Sequence, residues 1–250
     1  MGEVLGLSVW CEDEAGPYQT KPYAGASWQP QGHPTQQPYE YLREGTVKTM
    51  TLFHPADGRV LLKGVEHTTN GVVHDWLKTQ LLGILDELPP PVQRPAHLER
   101  VLWEQWRADL QCTVTLPRQL PPLRVLLIMD NLVGHKNPAW LLWCFAHGIL
   151  PLYTPLSGSW LNMAESVQRL LKRRALDGTY PRSTQAIIQA FESVAAHWNS
   201  QPTPFVWAGK RNARPDRAAL KRHRLAPSGA ATVPPPRRRF LSRPSWLPTL

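Results

Sequence analysis

The sequence holds only three cysteines, Cys11, Cys112 and Cys144, and no two of them stand in a CxxC pair. That excludes a disulfide framework and leaves three reduced thiols packed as small apolar groups, as expected of a cytosolic protein. No apolar run reaches the roughly 18 residues that a membrane crossing requires. The N-terminus has no basic start, apolar middle and small-residue cleavage site, so no secretory signal is expected there. His33, His54, His67, His74 and His135 fall in no zinc-ligand spacing. No internal repeat is visible. Acids are nearly missing from one end: of 19 Asp/Glu, only Asp216 lies in residues 201–250, which carry eleven of the 28 Lys/Arg.

What is present starts from that asymmetry. The net charge of +9 resides in the last fifty residues, and the body before them is close to neutral. A neutral body with a basic tail suits a polyanionic partner, most simply nucleic acid, with a merely solubilising tail as the alternative. The tail is rich in Pro and Arg, densest at Pro234 to Arg239, and is expected to be extended or disordered. With 250 residues and 42% hydrophobic content, the rest can bury one sizeable core.

Taken in order, Leu5 to Cys11 reads as a first strand running into Glu12, Asp13 and Glu14. Gly16 to Pro38 is rich in Pro, Gly and Gln and reads as a loop or irregular hairpin. Thr46 to Phe53 and Arg59 to Glu66 are strands joined by the turn residues His54 to Gly58, which completes a meander. Asn70 to Leu88 is an amphipathic helix with Asn70 as its N-cap, stopped by Pro89-Pro90-Pro91. Residues 91–122 read as an insertion or long crossover with one helix around His97 to Leu110. Arg124 to Asn131, RVLLIMDN, is a short apolar run ending in an acid, as in a strand covered on both faces. Asn137 and Pro138 open a helix that Gly148 stops, and Ile149 to Tyr153 is a fifth strand. Helices over Ser159 to Leu176 and Ser183 to Asn199 follow, the second capped by Ser183. Tryptophans 10, 76, 103, 140 and 143 read as packing residues, whereas Trp28 and Trp160 lie in loops where they could stack on unpaired bases.

This order fits an α/β fold with a mixed sheet in which the fourth strand lies parallel to a central first strand. Asp13 and Asp130 then emerge side by side, at the edge where open α/β sheets place their ligands. In the helix from Ser159, Leu161, Ala164, Val167, Leu170 and Leu171 share one side, while Glu165, Arg169, Lys172 and Arg173 share another. Each acid alone has an ordinary reading: Asp130 as a turn cap, Glu165 as a solvated residue paired with Arg169. Together they meet a chemical need. Phosphodiester cleavage without a covalent intermediate is served by two divalent ions roughly 3.5–4 Å apart, and Mg²⁺ needs only a few carboxylates beside water and phosphate oxygens. The cations near Glu165 would hold the polyanionic strand.

Three motifs carry a resemblance. Asp13-Glu14-Ala15-Gly16, Asp130-Asn131 with His135, and Leu161-Asn162-Met163-Ala164-Glu165 resemble the D-E-x-G, D-N-x-x-x-H and L-N-P-x-E motifs of DDE transposases, in particular the insertion-sequence-630 branch of the mariner superfamily. The 34 residues between Asp130 and Glu165 match that branch as well. The resemblance covers about Leu5 to Asn199. It implies a ribonuclease H-like catalytic domain over 1–200 with a five-stranded mixed sheet, a helical insertion at about 91–122 and a basic tail over 201–250. It implies two Mg²⁺ (or Mn²⁺) ions held by Asp13, Asp130 and Glu165, with Glu14, Asn131, His135, Asn162, Arg169, Lys172 and Arg173 in supporting or DNA-contacting places. Asp13 is preferred to Glu12 because alternation along a strand puts Asp13 with Cys11 and Glu12 on the other face. His135 could contact a phosphate, orient a water or be an ordinary loop histidine, and Asn131 and Asn162 could tie the acidic loops together or serve as caps.

The implied activity is strand cleavage and strand transfer on transposon ends and target DNA, by a homodimer on DNA in the bacterial cytoplasm, associated with the nucleoid. Neither a membrane nor a small-molecule substrate is expected. Two departures stand against the pattern. Met163 replaces the usual proline, and the chain starts at its first catalytic strand where such transposases carry a helix-turn-helix region. The second departure leaves open a truncated product, a second reading frame or a decayed copy. A non-catalytic nucleic-acid-binding remnant and another ribonuclease H-like nuclease are the alternative functions.

Overall fold

A computed structural model describes residues 6–205, apart from 27, 28, 35, 37, 39, 42, 109 and 157. Trp28 and nearly all of the basic tail lie outside the described residues. Among the described residues, five strands and five α-helices follow one another as β1 (Ser8–Gln19), β2 (Thr46–Phe53), β3 (Val60–Val65), α1 (Asn70–Glu87), α2 (Ala96–Arg107), β4 (Val125–Met129), α3 (Pro138–Ala146), β5 (Ile149–Tyr153), α4 (Ala164–Leu176) and α5 (Thr184–Ser200). Among the described residues, no helix is long and apolar enough to cross a membrane.

The sheet order is β3-β2-β1-β4-β5. β1 is antiparallel to β2 and parallel to β4, and β4 is parallel to β5. This is the mixed five-stranded arrangement expected from the sequence, with β1 at its centre. β4, and β1 as far as Glu12, are buried on both faces, which is why Val125 to Met129 reads as an unbroken apolar run.

Alternation along β1 sends neighbouring residues into two separate cores. Trp10 joins Met50, Leu52, the apolar faces of α1 and α3, and Trp103 of α2. Cys11 joins Val47, Phe53 and Val60 beneath α4 and α5. The result is three layers, helix on sheet on helix. Cys11 and Cys144 are buried, Cys112 is half-buried, and all three are free thiols.

Several boundaries differ from the sequence expectation. β1 does not end at Cys11 but continues through the acids to Gln19, because β2 keeps pairing with it as far as Gln19↔Thr46, across an irregularity between Ala15 and Tyr18. The α1 cap is Thr69, not Asn70: its side chain accepts from the Val72 backbone N–H, and Asn70 is the first helical residue. The helix expected from Ser159 is broken into a 3₁₀ turn over Ser159–Leu161 and α4, because Asn162 is extended at ψ 110°. Leu170 is exposed, and Gln168 takes the inward place instead. The caps at Asn137 and Ser183 stand as expected, accepting from Ala139 and Ala186 N–H.

Residues 91–122 are part of the first core and not an appendage to it. Trp103 is fully buried, packs edge-on against Phe145 at 5.9 Å and donates from Nε1 to the Pro121 carbonyl at 3.0 Å. The Glu99 carboxylate accepts from the Leu123 N–H and pairs with Arg94, fixing the segment just ahead of β4. Gly148, with φ +73°, turns the chain from α3 into β5 where a side chain would meet the Pro122 carbonyl.

Candidate active site

The register of β1 and β4 aligns two of the three acids. Their parallel pairs run from Ser8↔Val125 to Cys11↔Ile128, and two residues further in the same register Asp13 falls opposite Asp130. Both acids follow residues of the α4 side, Cys11 and Ile128, and so point to that side. Glu165 stands in the first turn of α4, which packs on this face.

The approach of the three carboxylates is felt most at Asp13. Burial pushes its carboxyl up to about 7, and the negative charges of Asp130 and Glu165 push in the same direction. The Glu14 N–H, donating to Asp13 Oδ1 at 2.9 Å, only partly opposes this. An acid whose carboxyl is raised by burial and by two further acids marks a site crowded with negative charge. Their donors are hard oxygens, which suit Mg²⁺ or Mn²⁺. The residues present therefore fit a divalent metal.

Asn162 joins the third acid to the first. Its Nδ2 donates to the Glu12 carbonyl at 2.6 Å, and its Oδ1 accepts from the Ala164 N–H at 3.2 Å. One side chain thus takes the first N–H of α4 and ties the helix to β1, one residue from Asp13. It is buried, with 2% exposure, so both hydrogen bonds are shielded from water. The Asn162→Ala variant is expected to lose about 1–3 kcal/mol of stability, because the amide groups left behind stay buried. Divalent-metal affinity is expected to fall about 10–100-fold as Glu165 loses its anchor. Denaturant unfolding and metal titration measure the two losses separately. Metal affinity equal to the parent's would show that Asn162 only caps.

On the other side of Asp130 stands His135, in a 3₁₀ turn over Gly134–Lys136. Its Nδ1 lies 2.8 Å from Asp130 Oδ1, and its backbone carbonyl accepts from the Tyr153 hydroxyl. Burial disfavours the imidazolium, but Asp130, Glu12 and Glu14 outweigh it and push its pKa up to about 9. His135 is thus a charged partner of Asp130. The sequence had left it among three readings.

The other expected residues are placed less uniformly. Asn131 Oδ1 is buried without a hydrogen-bond partner. Arg169 is exposed one turn beyond Glu165. Lys172 pairs with Asp177 at 2.8 Å and Arg173 lies 4.0 Å from the same carboxylate, so both are drawn toward the far end of α4. Trp160 is 67% exposed in the 3₁₀ turn before Asn162.

Sequence reasoning passed over Glu12. It lies on the opposite face from Asp13, as alternation predicts, yet it is fully buried and neither carboxylate oxygen has a hydrogen-bond partner. Burial pushes its carboxyl up to about 8, partly offset by His135. The available signal was an acid placed directly after the apolar run of a central strand. Among the described residues, Glu12, Glu14 and His135 are the group whose ligand atoms all lie within 4.8 Å of one another. Asp13, Asp130 and Glu165 form no such tight trio, and acids serving two ions need not.

The profile of the family described as DDE superfamily endonuclease matches residues 8–188. No curated protein sequence gives a significant match. Among solved structures, the Mos1 mariner paired-end complex with Mn is similar at 12% identity and a TM-score of 0.43, over 81% of this chain and 57% of that one. The Mos1 strand transfer complex is similar at 12% identity and a TM-score of 0.40, over 82% and 57%. This chain thus spans somewhat over half the length of those transposase chains. The family match covers most of the chain and all three acids, and the chain belongs to the DDE superfamily endonucleases.

Proposed function

We propose that this chain is the catalytic domain of a DNA transposase of the insertion-sequence-630 branch, cutting transposon ends and joining them to target DNA. The observation that carries the reading is the convergence of Asp13, Asp130 and Glu165, in which the latter two raise the carboxyl of the first. The 34-residue spacing between Asp130 and Glu165 supports the branch; the partner in this reading is DNA, on which the chain works as a homodimer.

In this reading Asp13, Asp130 and Glu165 hold two Mg²⁺ or Mn²⁺ ions. When bound, the ions stabilise the attacking and leaving oxygens of an in-line displacement at phosphorus. The chain's own residues set the stage for that. Asn162 holds Glu165 against β1, and His135 fixes the rotamer of Asp130. Arg169, exposed beside Glu165, meets the phosphate backbone, and the basic residues beyond 201 add sequence-independent attraction for DNA. The exposed Trp160 offers a stacking surface for an unpaired base. The catalytic domain spans 1–200 with its helical segment at 91–122, and it works in the bacterial cytoplasm at the nucleoid.

The test is divalent-dependent nicking of duplex DNA by the purified chain, carried to its target by a fused DNA-binding domain of known site. Nicking is expected with Mg²⁺ or Mn²⁺, to stop with chelator, and to fall about 10³-fold in Glu165→Gln, the loss of a few kcal/mol of transition-state stabilisation. Cleavage that persists in chelator, or in folded Glu165→Gln at the parent rate, rejects the reading.

A further inference from the structure

The unusual feature outside the acid triad is Glu12. Its carboxylate has no exposure and no donor on either oxygen, and a buried polar group is ordinarily partnered. Its nearest cationic nitrogen, His135 Nδ1, is 3.9 Å away, beyond hydrogen-bond length, and is turned to Asp130 at 2.8 Å. The two unpartnered oxygens belong to a group that already has the composition of a metal site. Glu12, half-buried Glu14 and buried His135 bring one ligand atom each within 4.8 Å of the others. Ligand atoms roughly 2.0–2.2 Å from one ion stand no more than about 4.4 Å apart, so small side-chain adjustments close the site.

We propose that Glu12, Glu14 and His135 form a second cation site, on the opposite face of β1 from Asp13, which takes one transition-series divalent ion. Two carboxylates with an imidazole suit Mn²⁺ or Zn²⁺ over Mg²⁺, which prefers an all-oxygen shell and keeps its waters. The ion supplies what Glu12 lacks: a partner bonded directly to its oxygens. Taking the ion requires His135 to release its imidazolium proton, and because its Nδ1 lies 2.8 Å from Asp130 Oδ1 that exchange is felt at the acid triad. The site rests on Glu12, Glu14 and His135 alone and does not require the chain to be a transposase.

The experiment counts Mn²⁺ bound to the full chain by the loss of the free-ion electron paramagnetic resonance signal. The background is the double variant Asp13→Asn/Glu165→Gln, which disables the triad and leaves the second site intact. One Mn²⁺ per chain is expected to remain, to be displaced by Zn²⁺ and not by equal Mg²⁺. Adding Glu14→Gln is expected to weaken it at least tenfold, and adding Glu12→Gln to abolish it. Glu14 is partly exposed, so its variant keeps the test decisive should Glu12→Gln fail to fold. A background variant that binds no Mn²⁺, or binding unchanged by Glu14→Gln, overturns the inference. DNA nicking decides the function proposed above and the Mn²⁺ count decides this site, so either can fail without the other.

Discussion

Replacing Asp130 with asparagine is expected to remove DNA strand cleavage by about three orders of magnitude or more while leaving the metal-free fold as stable as the parent at pH 8. The two outcomes have one cause. Asp130 leaves the end of β4 opposite Asp13, and its charge is one reason that the Asp13 carboxyl rises to about 7. Asparagine keeps the shape and an oxygen to accept from the Leu132 N–H, but removes the charge that Asp13 opposes. The fold therefore loses a repulsion as well as the attraction between Asp130 and His135. Metal binding loses a carboxylate for which an amide oxygen is a poor substitute, and several kcal/mol of transition-state stabilisation go with it. Thermal unfolding in chelator and a nicking assay, run on the same preparation, separate the two effects. A variant that cleaves within tenfold of the parent removes Asp130 from the chemistry. One that unfolds in the metal-free state reduces it to a structural residue.

The parts of the fold that the sequence revealed are those governed by local periodicity. Val125 to Met129 and Ile149 to Tyr153 are short apolar runs in strands buried on both faces, so their bounds could be read almost residue for residue. Asn137-Pro138 and Ser183 declared the starts of α3 and α5 because capping chemistry is local. β1 was misjudged for the opposite reason. Nothing in Glu12 to Gln19 looks like a strand, and only pairing with β2, nearly thirty residues away, extends it. The break before α4 is likewise non-local, since Asn162 leaves the helix to reach the Glu12 carbonyl.

The candidate site divides in the same way. Asp13 and Asp130 are legible because strand register carries them to one edge, and Glu165 because a helix start follows its motif. The cations were read too generously: spacing placed Lys172 and Arg173 near Glu165, but Asp177, beyond the end of the same helix, draws both away. Glu12 was assigned to the right face and then dismissed. That face is not a solvated one, since His135 and the first core close over it, and a sequence pattern records which way a side chain points but not what covers it.

The metal-free chain is expected to lose thermal stability as pH rises from 5 to 9, and divalent ions are expected to restore it. Asp13 and Glu12 both have carboxyls raised in the fold, to about 7 and about 8, by burial first and by neighbouring acids second. Between the ordinary carboxylate range and those values the native state holds more protons than the unfolded chain, so each added pH unit favours unfolding. His135 adds to the same slope: raised to about 9 against the cost of burial, it stabilises fully below its ordinary value near 6.5 and loses that contribution as pH climbs through 9. All three slopes have one sign. In chelator, Tm at pH 8.5 is expected to lie about 5–10 °C below that at pH 6, the scale of a few kcal/mol in a chain of this size. Mn²⁺ at about one hundred times its dissociation constant returns about 2.7 kcal/mol, because it binds the ionised carboxylates of the folded state. Asp13→Asn and Glu12→Gln should each flatten the slope, and Glu12→Gln should do so even where Mg²⁺ occupies the triad. A Tm in chelator that is flat or rising over this window would mean that the acids on the two faces of β1 are not held against their charge. The case for cations on either face would then lose its physical basis.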